Sequence, residues 1–287
     1  MGRNKLRLSL SASDFNLEHT LECGQAFRWE KSDNGYQGVI GRALLKINYD
    51  GARLQVESSS PLSKEALTEY FGLNENMPRI LKEIDLDSHI HKAILKFHGL
   101  RVLNQDHWEC LASYILSSYN NIARIKIMIE KLSRAFGERL TLGCIERRSF
   151  PSIEKIAAVN LSALKKLGLG FRASYLKKTA GDLLAKRLDL DSLENLSYNE
   201  AKTKLTRLKG VGEKVADCVL LFSFKKYEAF PVDVWIKRAV ERFYFNGRPV
   251  SSKRAAEFAR EYFGRYAGYA QEYLYHYMRC GYRQAGP

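Results

Sequence analysis

The apolar residues of this chain change period near residue 86, and that change limits the folds open to it. Before it, Leu6-Arg7-Leu8-Ser9-Leu10 alternates apolar and polar positions, the period of a half-buried strand. Ala26-Phe27-Arg28-Trp29 leads to Asp33-Asn34-Gly35, Tyr36 to Asn48 resumes an apolar run, and Asp50-Gly51 turns the chain into Leu54-Gln55-Val56. Asn-Gly and Asp-Gly pairs suit tight hairpins, so these signals predict an antiparallel sheet. Pro61-Leu62-Ser63 then opens a short helix, with Ser63 as its cap. After residue 86 apolar residues recur at helical spacing, as in Ile125, Ile129, Leu132 and Phe136. Helices are expected at roughly 88–98, 107–119, 121–136, 153–158, 161–167, 172–186, 198–207, 213–223, 234–244, 251–262 and 267–279. The expected fold is α+β. Residues 1–86 form an antiparallel sheet domain with short helices, and residues 87–287 form a mainly α-helical core in two subdomains.

A chain of 287 residues can bury two such cores. Its 46 Lys and Arg outnumber 32 Asp and Glu, a net charge of +14, which favours a polyanionic partner. Cysteines at 23, 110, 144, 218 and 280 form no C-x-x-C pair, so no zinc ribbon, iron–sulfur cluster or other metal is expected. The odd count without tight spacing fits reduced thiols inside a cell. Met1-Gly2-Arg3-Asn4-Lys5 is basic but leads to no long apolar run, so no signal peptide is expected. Nothing approaches the ~20 apolar residues of a membrane span. An intracellular monomer that does not associate with membranes is the expectation.

Residues 198–223 read as helix, tight turn, helix. Gly210-Val211-Gly212 sits at the turn, where glycine permits unusual φ and close approach of another backbone. A helix that starts on a glycine leaves its first N–H groups free, which suits a phosphate. Alone, this pattern favours a plain helical hairpin. Phe230-Pro231-Val232-Asp233 follows, with Asp233 placed to cap the helix from Val234 to Tyr244.

The combination Leu-x-Gly-Val-Gly-x-Lys-x-Ala over 208–216, with Pro-Val-Asp beginning 17 residues after the lysine, resembles the helix-hairpin-helix (HhH-GPD) DNA glycosylases. The resemblance implies Lys214 as nucleophile and Asp233 as the essential carboxylate, with no cofactor. The residue types suit the chemistry. An amine attacking the anomeric carbon of a sugar must be unprotonated, and both burial and the positive end of a helix favour that form. Lys214 falls in the first turn of the expected helix. Expelling a base leaves positive charge on the sugar, which a carboxylate stabilises. The adduct can become a Schiff base and permit strand cleavage by β-elimination.

Further segments resemble the 8-oxoguanine DNA glycosylases in particular: Glu22 to Trp29, Ser117 to Arg124, Gly168 to Arg172 and Tyr266 to Gln271. The resemblance spans nearly the whole chain and implies duplex DNA carrying 8-oxoguanine as partner. It assigns the N7–H of the lesion to the carbonyl of Gly24, where a missing side chain permits close approach. Guanine carries a lone pair at N7 and would be repelled. Gln271, a donor and acceptor, reads the purine edge. Cys218 and Tyr275 sandwich the base, and Pro231 and Asp233 complete its surroundings. Tyr119, Asn120, Arg124, Phe171 and Arg172 fall in segments that contact DNA around the flipped nucleotide, Phe171 as an aromatic wedge. Gly210, Val211 and Gly212 belong to the hairpin that holds the backbone, and Trp235 stands beside it.

Two positions depart from the family pattern. Tyr119 stands where Asn is frequent and helps recognise the opposite cytosine; a phenol offers no amide pairing, so a relaxed opposite-base preference is expected. Trp235 replaces a histidine. Two alternatives remain open from the sequence: a glycosylase for oxidised pyrimidines on the same scaffold, and a DNA-binding module without catalysis. The absence of a cysteine cluster and the paired Gly24 and Gln271 segments weigh against the first.

Overall fold

A computed structural model describes residues 6–284, without the side chains of 282–284; the Met1–Lys5 segment lies outside the described residues. Five strands form an antiparallel sheet: β1 (Leu6–Ser11), β2 (Trp29–Ser32), β3 (Gly35–Ile40), β4 (Ala43–Tyr49) and β5 (Arg53–Ser58), in the order β1-β5-β4-β3-β2. The Asp33-Asn34 and Asp50-Gly51 signals fall at the β2–β3 and β4–β5 turns. Register follows the apolar pattern, with Leu10 opposite Leu54, Leu8 opposite Val56 and Ile47 opposite Val56. Trp29, Leu45, Ile47, Leu54 and Phe71 form the centre of the sheet's core.

Beyond the sheet the chain is helical, apart from a hairpin of β6 (Arg139–Leu142) and β7 (Ile145–Arg148). Leu142 packs against Val39 and Leu44, and Arg147 pairs with Glu30, so this hairpin closes the outer side of the sheet. The helices expected from the sequence form with ends shifted by a few residues. Caps explain where several start: Ser63, Asp87, Asp106, Asn121, Ser152, Ser197 and Ser251 each accept a bond from a first-turn N–H. Each such cap contributes about 1 kcal/mol.

Two short helices were not anticipated, Leu17–Glu22 and Met77–Ile84. Both are capped by asparagine, Asn16 and Asn76, and both are too short for a clear period. Met77, Ile80 and Ile84 join the same core as Cys23, Phe27 and the later helices. At the centre of that core runs the helix Glu213–Phe224, whose residues from Val215 to Phe224 are all buried. It packs against the equally buried helix His107–Ser117. No helix among the described residues is long and apolar enough to cross a membrane.

Candidate active site

The hairpin joins the helices Tyr198–Thr206 and Glu213–Phe224. Gly210 takes φ +88°, and a Cβ there would lie 2.4 Å from the Tyr175 ring. The turn therefore packs on Tyr175 only as glycine. Gly212 is the N-cap of the second helix, has no side-chain cap, and faces open space. Beneath the hairpin, buried Asp217 accepts from the Tyr198 hydroxyl at 2.6 Å and pairs with Lys202, which also reaches Glu213. This network fixes the first turn of the helix that carries Lys214.

Lys214 projects from that turn into a cavity of about 530 Å³ between the sheet domain and the helices. Its ammonium donates to Ser117 Oγ at 3.4 Å and stands 5.1 Å from the centre of the Tyr114 ring. Tyr114 is itself fixed, by a bond from its hydroxyl to the Gln25 carbonyl at 3.0 Å and by stacking on Phe222. Asp233 lines the same cavity and caps the helix Val234–Tyr244 by accepting from the Ile236 N–H at 2.8 Å. Burial raises the Asp233 carboxyl above its usual range, opposed by the Ile236 N–H and by the charge of Lys214.

The rest of the wall comes from distant parts of the chain. Gly24, Cys218, Pro231, Gln271 and Tyr275 all line the cavity. Gln271 is 4% exposed, and its Oε1 has no hydrogen-bond partner among the described residues. Burial pushes the Cys218 thiol up to about 12, so it stays a neutral, polarisable surface.

Gly24 takes φ +108°, and a Cβ on it would come within 2.7 Å of Arg279 Nη1 and 2.8 Å of Ile122 Cδ1. The neighbouring residues explain how its backbone is held. Gln25 donates to the carbonyls of Thr20 and Arg101 and accepts from the Leu103 N–H. Arg279 donates to the carbonyls of Glu22 and Cys23. Gly24→Ala is expected to destabilise by about 1–3 kcal/mol from strain and overpacking. A fall in Tm together with slower base release is the expected result, and an unchanged Tm would contradict the steric account.

Residues 7–111 match the family model for the 8-oxoguanine DNA glycosylase N-terminal domain. Residues 112–264 match the HhH-GPD superfamily of base excision DNA repair proteins. An N-glycosylase/DNA lyase of Arabidopsis thaliana is 32% identical, over 93% of this chain and 78% of its own. The chain belongs to the 8-oxoguanine DNA glycosylases of the HhH-GPD superfamily. An N-glycosylase/DNA lyase of Saccharomyces cerevisiae is 29% identical over 94% of this chain and 85% of its own. Among solved structures, an 8-oxoguanine glycosylase/lyase of Clostridium acetobutylicum, bound to duplex DNA with cytosine opposite 8-oxoguanine, superposes with a TM-score of 0.89. It is 33% identical and covers 96% of this chain and 98% of that one.

In this glycosylase two of the residues expected to meet DNA, Asn120 and Trp235, belong to the cavity wall. Tyr119 is 97% exposed and takes φ +50°, a conformation that costs a non-glycine residue energy. Its ring meets Phe171 edge-on at 6.4 Å, and Phe171 meets Tyr175 at 5.5 Å, making an aromatic ridge. Arg172 is buried, donates from Nε to the Ser118 carbonyl at 2.7 Å and from Nη2 to the Tyr119 carbonyl at 3.0 Å. It thus holds the strained turn from beneath, while Arg124 stands exposed. Val211 is buried, whereas Gly212 is exposed.

Several lining residues were not singled out from the sequence: Phe27, Tyr114, Ser117, Phe222, Glu272 and Arg279. Phe27 belongs to the Glu22–Trp29 segment, and Ser117 begins the Ser117–Arg124 segment, so the motifs held a signal for both. Tyr114 and Phe222 follow the periodicity of buried helices and carry none.

Proposed function

We propose that this glycosylase takes 8-oxoguanine out of duplex DNA into the cavity, releases it through Lys214, and cleaves the strand by β-elimination. The observation that carries this reading is the convergence of Lys214 and Asp233 on one cavity whose wall also carries Gly24 and Gln271. The two kinds of DNA contact divide by position. Free N–H groups at Gly212 suit the backbone phosphate, and the ridge of Tyr119 and Phe171 suits the gap left by the flipped nucleotide. The net charge of +14 supplies attraction independent of sequence, and the reading places the protein with DNA inside the cell.

In the proposed reaction the Lys214 amine attacks C1′ while the glycosidic electron pair leaves with N9 of the base. The Asp233 carboxylate offsets the positive charge that develops on the sugar. The nitrogen then gives a proton to the departing base, the ring opens to the Schiff base as O4′ takes a proton from water, and removal of a C2′ proton by water lets the 3′ phosphate leave with its bonding pair. The Gly24 carbonyl accepts from the N7–H of the lesion, and Gln271, whose Oε1 is without a partner among the described residues, pairs with its edge. Cys218 and Tyr275 flank the base with polarisable faces.

Under single-turnover conditions, a duplex with one 8-oxoguanine should lose the free base and end as a cleaved strand, while an unmodified duplex stays intact. Retention of the lesion would contradict the reading. Tyr119 has no amide with which to pair a cytosine. Rates opposite cytosine, adenine, guanine and thymine are therefore expected to lie within about tenfold, because a bidentate base contact is worth ~1–3 kcal/mol and is lacking here. A cytosine preference much above that range would show that other residues read the opposite base.

A further inference from the structure

Glu272 follows Gln271 on the helix Ala267–Gln284 and shares the cavity wall with Asp233. It is 2% exposed, and its Oε1 has no hydrogen-bond partner among the described residues. The Cys23 side chain lies against this carboxyl. Cys23 immediately precedes Gly24, so Glu272 stands against the segment whose carbonyl is proposed to accept the N7–H of the lesion. A buried polar atom without a partner calls for an explanation, and a ligand that completes the pairing is one. We propose that Glu272 is a second base-reading residue of this cavity, a neutral carboxylic acid whose O–H donates to a carbonyl oxygen of the flipped purine beside the Gly24 contact. The inference rests on the proposed excision of 8-oxoguanine.

The chemistry of the base favours a donor at this place. In 8-oxoguanine the N7–H lies between the carbonyl oxygens at C6 and C8. A carboxylate aimed at that edge would be repelled; a carboxylic acid can donate to it. The surroundings favour the acid. Burial, the largest influence, pushes Glu272 up to about 7, with the Asp233 charge adding to the shift and Cys23, Arg279 and Lys214 opposing it. The remaining titratable neighbours are Tyr114, Cys218 and Tyr275, each pushed upward by burial and so neutral near pH 7. A neutral Glu272 also leaves Asp233 as the ionised carboxylate facing Lys214, which two adjacent carboxylates would disfavour.

The test compares wild type, Glu272→Gln and Glu272→Leu on two duplexes, one with 8-oxoguanine and one with a preformed abasic site. The abasic duplex needs Lys214 but has no base to read. Glu272→Leu is expected to slow base excision by at least about tenfold while leaving abasic cleavage within about twofold of wild type. Glu272→Gln keeps a neutral donor at every pH. It is expected to match wild type at about pH 6 and to exceed it at about pH 8.5, where the native carboxyl ionises. The pH dependence of Tm supplies an independent check. Because the folded carboxyl is raised from its ordinary 4.5 to about 7, its contribution to stability is present below that ordinary value and lost as pH rises through about 7. Glu272→Gln should therefore gain in Tm over wild type between those limits. Equal excision by Glu272→Leu and wild type would overturn the proposal, as would a fall in abasic cleavage in step with excision. A Glu272→Gln variant as slow as Glu272→Leu at about pH 6 would overturn it too. If wild type processes neither duplex, the excision reading itself fails, which is a different result.

Discussion

Lys214→Gln is expected to lower single-turnover release of 8-oxoguanine by about 10⁴-fold or more, since removing a nucleophile removes the pathway and not one contact within it. The variant should fold normally. Lys214 makes one long hydrogen bond, 3.4 Å to Ser117, and one ring contact, 5.1 Å from Tyr114. Both are worth little at a half-buried position. The helix keeps its start, because Gly212 and the Asp217–Lys202–Glu213 network set the first turn without Lys214. Binding to lesion duplex should weaken modestly through the lost charge. Equal rates for the variant and wild type would remove Lys214 from the reaction, and a large fall in Tm would make any rate loss uninformative.

Asp233→Asn is the second large effect, a fall of about 10²–10³-fold in base release, the range for losing one preorganised charge-stabilising group. Asparagine caps helices about as well as aspartate, so the bond to the Ile236 N–H can persist. Stability should then respond in a direction that separates function from folding. Burial raises the Asp233 carboxyl above its usual range, so the charge opposes folding once pH exceeds that range. Its favourable contribution is present below the unfolded pKa and lost as pH rises through the folded one. The asparagine variant should therefore have a Tm equal to or above wild type near neutral pH, with no gain in strong acid. A Tm clearly below wild type near neutrality would mean that the carboxylate is structural.

The strongest sequence signals were local ones. The glycine hairpin, Lys214 and the capping Asp233 lie within one short stretch, and their roles in chain geometry follow from turn and cap chemistry. Most helices were legible because apolar period and capping residue coincide, as at Asn121 with Ile125, Ile129 and Leu132. The helix expected over 107–119 ends at Ser117 because Tyr119 turns to positive φ, held by Arg172 from a distant helix. The β6–β7 hairpin has only four residues per strand and depends on Val39 and Leu44, which no local pattern announces.

The cavity wall was legible only in part, for the same reason. Gly24 and Gln271 stood out through family resemblance, since a lone glycine or glutamine carries no site signal. Tyr114 supports Lys214 only because its helix packs beside the helix of Lys214. Arg279 reaches the backbone before Gly24 from the far end of the chain. Glu272 carries no site signal in the sequence, and only the fold shows that it is buried.

The central claim is that the Lys214 amine bonds to the sugar of the damaged nucleotide. Borohydride reduces a Schiff base to a stable amine, so it records that bond directly. Incubating wild type with an 8-oxoguanine duplex and borohydride should give a covalent protein–DNA species whose linkage maps to Lys214 and which Lys214→Gln does not form. Lesion excision by wild type with no trapped species, or a trapped species of equal yield in Lys214→Gln, would contradict it.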